Sequence, residues 1–391
     1  MSPFLQLAIL LVIILLTAKM AGYLAIQLGQ PSVLGELVVG ILLGPSLFNL
    51  LHLPVFDEEL MTEFLKLIGE IGVLLLMFLA GLDLHVGELK HTGKVSAVAG
   101  TMGVILPVLM GYGVGVIAGM DQGASFFLGL TLGATSVSIS ARTLMELKQL
   151  RSRVGLGMLG AAVFDDILVI LLLSIFFALE GGSGGAGSIL LVLGRMGVFF
   201  ILAVVFGLWL LPHLVRWVRD LPISQNVLSL AIIILLALAI AAELIGGMAA
   251  ITGAFLAGLM FARSPEQENL EPRVSALAYG FFVPVFFVDI GLSVDIKSII
   301  PVFGFTMIVI LIAIIAKLLG AGLGARWAGF SWSEAMQLGA GMVSRGEVGL
   351  IIAAVGLSAG LVTDAVFSSI VGMVIVTTLI TPPMLRFLFN K

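Results

Sequence analysis

Ala161-Ala162-Val163-Phe164-Asp165-Asp166-Ile167-Leu168-Val169-Ile170 sets two adjacent carboxylates inside an otherwise apolar helix. Asp166 lies thirteen residues beyond Arg153. That is roughly 20 Å of helix rise, which reaches the middle of a hydrocarbon layer about 30 Å thick. An isolated charge at that depth costs at least about 2.5 to 3.5 kcal/mol, so both acids need partners, protons or a hydrated cavity.

Outward from this helix, the rest of the chain reads as membrane. Of 391 residues, 60% are hydrophobic and only 11% are charged, against roughly 25% charged in a soluble domain. Residues 1–391 therefore read as one integral membrane domain. The net charge of −4 is small and dispersed, with no basic tract, which excludes nucleic acid as a partner and leaves membrane lipids. The chain has no cysteine, so disulfides, thiolate nucleophiles and Cys-based metal sites are excluded. Met1 to Ala18 holds no Lys or Arg; it lacks the basic region of a cleavable signal and reads as the first span.

Charge clusters and Gly/Pro breaks divide the chain into thirteen candidate helices, near 3–26, 32–50, 64–83, 95–118, 124–145, 154–179, 188–212, 226–245, 248–263, 275–293, 299–323, 335–358 and 363–388. An odd number puts the termini on opposite sides. With the N-terminus outside and the C-terminus cytoplasmic, the inner loops and tail hold thirteen cations: Lys90, Lys94, Arg142, Lys148, Arg151, Arg153, Arg216, Arg219, Arg263, Arg273, Arg326, Arg386 and Lys391. The outer loops hold only Lys66, Arg195 and Lys297, so the positive-inside rule selects this orientation. Trp209, Trp217, Trp327 and Trp332 also fall near predicted inner ends, where an indole keeps its N–H wet and its ring in lipid. The Gly181–Ser188 stretch reads as a flexible outer loop, and no soluble regulatory domain is expected after Lys391.

Two echoes suggest duplication. Val33-Leu34-Gly35 to Gly40-Ile41-Leu42 resembles Ile251-Thr252-Gly253 to Gly258-Leu259-Met260, and Phe78 to Asp83 around Gly81 is echoed by Phe287 to Asp295 around Gly291. The partners are seven helices apart and enter the membrane from opposite sides, the inverted repeat of secondary transporters. The first repeat spans about 3–179, a linker helix about 188–212 and the second repeat about 226–388. Chance similarity between glycine-rich helices is the alternative.

The same offset pairs helix five, with Gly133-Ala134-Thr135-Ser136-Val137-Ser138-Ile139-Ser140, and helix twelve, with Gly339-Ala340-Gly341-Met342-Val343-Ser344-Arg345-Gly346-Glu347. If both unwind at mid-depth, freed carbonyls and opposing helix ends can coordinate ions; otherwise the hydroxyls bond back to their own helices. Lys317 lies nine residues before Arg326, roughly 13 Å from the inner end of its helix and near the depth of the aspartates. Adjacent helix residues point about 100° apart, so one carboxylate can pair with Lys317 while the other faces a cavity where proton and cation are alternative occupants. Arg345 and Glu347 read as a structural charge network with acids such as Glu70, Asp83, Glu243 or Asp289. His52, His85, His91 and His213 show no ligand spacing, so no transition-metal site is expected.

Gln30-Pro31-Ser32-Val33-Leu34-Gly35-Glu36, Phe78-Leu79-Ala80-Gly81-Leu82, Ala134-Thr135-Ser136-Val137, Gly160 to Asp166, Ala316-Lys317-Leu318-Leu319-Gly320 and Arg345-Gly346-Glu347-Val348-Gly349-Leu350 together carry a resemblance over nearly the whole chain. The sequence is similar to the bacterial NapA-type sodium/proton antiporters of the second monovalent cation:proton antiporter family. The resemblance implies a thirteen-helix NhaA/NapA-like fold in the inner membrane and a homodimer. Within it, a core domain moves like an elevator, and broken helices five and twelve cross with Thr135 and Ser136 near the ion. It further implies that Asp166 binds Na+ (or Li+) or H+, that Asp165 pairs with Lys317, and that exchange is electrogenic, with two protons per sodium. No cofactor and no enzymatic activity are expected. A K+/H+ antiporter of the same fold, a passive channel and an intramembrane aspartyl protease are the competing readings; the last needs facing aspartates on separate helices.

Overall fold

The computed structural model describes residues 1–28, 30–82, 86–180, 186–293, 297 and 299–389. Asp83, His85, Asp295, residues 181–185 and Lys391 lie outside the described residues, as do the side chains of Lys90, His91 and Glu347.

Every regular element among the described residues is helical. Seventeen α-helices follow one another: α1 (Pro3–Gln27), α2 (Ser32–Leu43), α3 (Glu58–Leu82), α4 (Val86–Ile117), α5 (Gln122–Gly133), α6 (Val137–Glu146), α7 (Arg153–Glu180), α8 (Ala186–Val205), α9 (Leu211–Arg219), α10 (Asn226–Ala241), α11 (Ala250–Phe261), α12 (Gln267–Leu277), α13 (Val283–Leu292), α14 (Phe303–Trp327), α15 (Trp332–Gly341), α16 (Glu347–Ser358) and α17 (Asp364–Phe389). Single π-helical turns at Phe206–Leu210 and Ala278–Phe282 join α8 to α9 and α12 to α13, and a third, Ala242–Gly246, extends α10. Among the described residues, ten stretches are long and apolar enough to cross a membrane, and Ser32–Leu43, Ala250–Phe261 and Val348–Leu357 are shorter apolar helices.

Several ends differ from the sequence expectation for local reasons. α2 stops at Leu43 rather than near 50, because Gly44 is extended (ψ −172°) and precedes Pro45, which disfavours helix in the residue before it. α3 and α13's helical stretch begin earlier, at Glu58 and Gln267; their first turns are charged, so an apolar pattern misses them although helix continues into the polar layer.

The chain divides into two compact units, one of residues Met1–Glu70, Thr92–Asp165 and Pro284–Lys391, the other of Ile71–His91 and Asp166–Val283. In the first, Leu10, Ile14 and Ala18 of α1 share a core with Met61, Leu65, Val285 and Val288. Glycines set the helix spacing there. A Cβ on Gly35 would stand 2.2 Å from the Ala21 carbonyl oxygen, and one on Gly40 would stand 2.4 Å from that of Val288. A Cβ on Gly291 would meet Gly40 itself at 2.6 Å.

The second unit repeats the pattern with the other members of the sequence echo. A Cβ on Gly253 would stand 2.1 Å from the Leu238 carbonyl oxygen, one on Gly258 would lie 2.0 Å from that of Phe78, and one on Gly81 would lie 2.2 Å from that of Phe255. Thus α2 touches α1 and α13 through Gly35 and Gly40, and α11 touches α10 and α3 through Gly253 and Gly258. Close backbone approach through small residues is how helices associate in lipid, where burial of apolar surface drives nothing.

Candidate functional site

Both helices singled out for their small and polar residues are interrupted. α5 ends at Gly133; Ala134 (ψ 145°) and Ser136 (ψ 112°) are extended, and α6 starts at Val137. α15 ends at Gly341, and α16 starts after Gly346. The two breaks are stitched together. Ser136 N–H donates to the Ser344 carbonyl at 2.9 Å, and the Ser344 hydroxyl donates to the Ser136 carbonyl at 2.7 Å. The Ser140 hydroxyl donates to the Gly341 carbonyl and lies 3.0 Å from Ser344 Oγ. A Cβ on Gly346 would stand 2.7 Å from Ser136 Oγ, so the crossing needs that glycine. Ser136, Ser138, Ser140 and Ser344 are all buried, as non-helical backbone at membrane depth requires.

Arg345 is fully buried and serves this crossing. Its Nη1 donates to the carbonyls of Met342 and Val343, and its Nη2 donates to those of Leu132 (2.7 Å) and Ala313 (3.2 Å). Leu132 lies in the last turn of α5, and Met342 and Val343 follow α15, so the guanidinium sits at two helix C-termini, where carbonyls lack intrahelical partners and the dipole is negative. This corrects the expectation that Arg345 pairs with an acid such as Glu70, Glu243 or Asp289. The carbonyls freed at the breaks take its hydrogen bonds, the acid whose charge acts on it is Asp165, and Asp289 instead feels Lys66 and Glu70.

Beside the crossing, Lys317 Nζ on α14 donates to Asp165 Oδ1 on α7 at 2.7 Å, with the two side chains 0% and 1% exposed. Glycines make room for the pair. A Cβ on Gly320 would stand 2.5 Å from the Met102 carbonyl oxygen, and one on Gly100 would stand 2.5 Å from that of Ala161. These contacts draw α14 and α7 against α4. Thr135 is 3% exposed and close enough to act on the Asp165 charge. Its Oγ1 and Asp165 Oδ2 are buried with no hydrogen-bond partner among the described residues. Asp166 follows on the same helix and is also buried, at 6% exposure. Among the described residues, no group of three or more His, Asp or Glu side chains is arranged to hold a metal.

The structure thus brings together Asp165, Lys317 and Thr135, and joins Ser136 to Ser344. Some contacts were not foreseen. Thr378 on α17 donates to the Arg345 carbonyl at 2.6 Å; its only sequence signal was a polar residue in an apolar helix. Ser32 N–H donates to Glu146 Oε2 at 2.7 Å, its hydroxyl hydrogen-bonds Glu146 Oε1, and Arg142 Nε lies 2.9 Å from the same oxygen. This pins the end of α6 to the start of α2, beside the buried Glu36. Arg142 had read only as one of the inner-side cations, and Glu146 carried no reading.

Residues 12–391 match a family described as sodium/hydrogen exchanger, transmembrane. The Na(+)/H(+)-K(+) antiporter GerN of Bacillus cereus is 43% identical over 378 residues, 97% of this chain and 95% of that one. The Na(+)/H(+) antiporter of Enterococcus hirae is 34% identical over 383 residues, 98% of each. Among solved structures, the sodium proton antiporter MjNhaP1 of Methanocaldococcus jannaschii superposes with a TM-score of 0.71 at 18% identity, covering 100% of this chain and 99% of that one. At that identity the likeness is one of fold.

Proposed function

The chain belongs to the transmembrane sodium/hydrogen exchanger family, and from that premise we propose that it is a multi-pass Na+/H+ antiporter of the cell's inner membrane in which Asp166 carries the exchanged ion. The observation that carries this reading is the pairing of Lys317 with Asp165 at 2.7 Å inside the membrane. It supports Asp165 as the fixed ion pair, with the carboxylate next to it as the exchanging group. Desolvation disfavours a bare carboxylate. A proton or an Na+ (or Li+) ion at Asp166 each relieves that cost, and the two exclude one another. Thr135 Oγ1 and Asp165 Oδ2, buried and without hydrogen-bond partners among the described residues, are further oxygens of the kind a hard cation takes. Ser136 shapes the crossing, with Arg345 neutralising the carbonyl ends; Glu347 is assigned to the same charge network on sequence alone.

The finer features rest on the NapA-type resemblance. They are thirteen spans with the N-terminus outside and the C-terminus cytoplasmic, an inverted repeat about the 188–212 linker, a homodimer, an elevator-like core and electrogenic exchange. The matching glycine contacts of Gly35/Gly40 and Gly253/Gly258 support the repeat, and ten long apolar stretches with three shorter apolar helices accommodate the count. A K+/H+ activity of the same site is the second reading, favoured by the name of the 43%-identical relative.

In proteoliposomes, Na+ or Li+ should dissipate an imposed ΔpH, and comparison with K+ separates the two readings. Asp166→Asn should abolish the dissipation while the protein remains monodisperse; exchange at the parental rate in that variant would sink the assignment. Because proton and cation compete, lowering the pH should raise the Na+ concentration needed for half-maximal exchange.

A further inference from the structure

Away from the crossing, the second unit holds a cavity of about 490 Å³, within the range of small-ligand sites. Its apolar wall is formed by Leu208, Leu211 and Met260, and its polar end by Arg216, Arg219, Arg263 and Glu266. We propose that this cavity binds a membrane phospholipid, with its phosphate on the arginines and an acyl chain along the apolar wall.

Charge is the first argument. Three arginines and one carboxylate line the cavity, and with Asp220 beside Arg219 counted one positive charge remains in surplus. Arg219 is engaged by Asp220 at 3.4 Å and Glu266 at 3.7 Å. Among the described residues Arg216 gives only its Nε, to the Pro212 carbonyl at 3.2 Å. Arg263 makes no ion pair among the described residues. Two nearly unengaged guanidinium forks in one cavity match a phosphate, whose oxygens accept paired N–H donors.

The surroundings choose lipid over a water-soluble phosphate. Leu208, Trp209, Leu210 and Trp217 next to the cavity are 49%, 76%, 50% and 65% exposed. In a membrane protein, such outward apolar and indole side chains mark the belt between hydrocarbon and headgroups. The cavity therefore opens at headgroup depth, and basic pockets between membrane helices suit anionic lipid headgroups. Its shape is built in. The π-turn Phe206–Leu210 interrupts the helix at the wall, a feature frequent at functional sites, and a Cβ on Gly207 would stand 2.6 Å from Met260 Cγ.

The test uses the full chain, delipidated in detergent and titrated with phosphatidylglycerol, phosphatidylcholine or inorganic phosphate, with occupancy read by native mass spectrometry and by thermal midpoint. Phosphatidylglycerol should bind saturably and raise the midpoint, with phosphatidylcholine weaker. Arg216→Gln/Arg263→Gln should weaken phosphatidylglycerol by roughly thirtyfold, and Arg216→Lys/Arg263→Lys should recover part of the loss, which a folding defect would not. Leu208→Trp keeps every arginine but narrows the wall, and it should weaken the lipid as well. Unchanged phosphatidylglycerol binding in the glutamine variant would overturn the proposal. So would inorganic phosphate binding as tightly as the lipid, the mark of a soluble phosphate site, or equal binding of both lipids with no effect of any variant, the mark of nonspecific lipid.

Discussion

At the residue scale, Asp165 and Asp166 share a helix and a side-chain chemistry, and their difference comes from what stands opposite. Asp165 meets Lys317, and both are buried beyond the reach of water. Removing one member of such a pair leaves an uncompensated charge and typically costs about 3–5 kcal/mol, whereas removing both costs far less. Asp165→Asn should therefore lower the thermal midpoint in detergent markedly, and Asp165→Asn/Lys317→Gln should regain a large part of it. A single variant as stable as the parent would show that the pair contributes nothing. The presence of two acids and a lysine at mid-depth was legible from residue counts from two helix ends, Arg153 and Arg326. Which acid the lysine takes was not legible from those counts, because depth fixes position along the membrane normal and says nothing of azimuth; only the family resemblance pointed to Asp165.

At the element scale, the fold depends on glycines at helix contacts rather than on apolar volume. Gly258 stands against the Phe78 carbonyl, where a Cβ would come within 2.0 Å, whereas a Cβ on Gly194 would meet nothing within 4 Å. Gly258→Val should sharply reduce folded yield and thermal midpoint, while Gly194→Ala should leave both close to the parent; equal effects of the two would refute the packing account. The glycine spacing was visible in the sequence as two echoes, but the contacts it makes were not, since a period of five residues does not name the helix on the other side. The breaks in helices five and twelve were foreshadowed by small and hydroxyl residues. Arg345 was misjudged for a reason specific to breaks: carbonyls freed by unwinding are invisible in a sequence, and an arginine so placed looks as if it needs an acid.

At the scale of the whole molecule, the proposed topology has a direct chemical test, because the chain has no cysteine. Ser2→Cys should react with a membrane-impermeant maleimide in intact cells, and Ser333→Cys, in the first turn of α15 and in the predicted inner loop before helix twelve, should react only after permeabilisation. Reaction of both from the same side would overturn the opposite-sided termini and, with them, the odd number of spans. By itself the sequence determined that the chain is an all-helical membrane protein with carboxylates and a lysine at mid-depth. Those conclusions need only composition, the length of apolar runs and the cost of charge in hydrocarbon, which are local properties. Only the tertiary structure put Lys317 on Asp165, a pairing that the family resemblance implied and that depth left open, joined Ser136 to Ser344 across the two breaks, and set Arg345 on the carbonyls of Leu132 and Ala313. Lys317 with Asp165, Ser136 with Ser344 and Arg345 with Leu132 each join residues more than a hundred positions apart, and their partners are set by which helix faces close glycine packing turns toward one another.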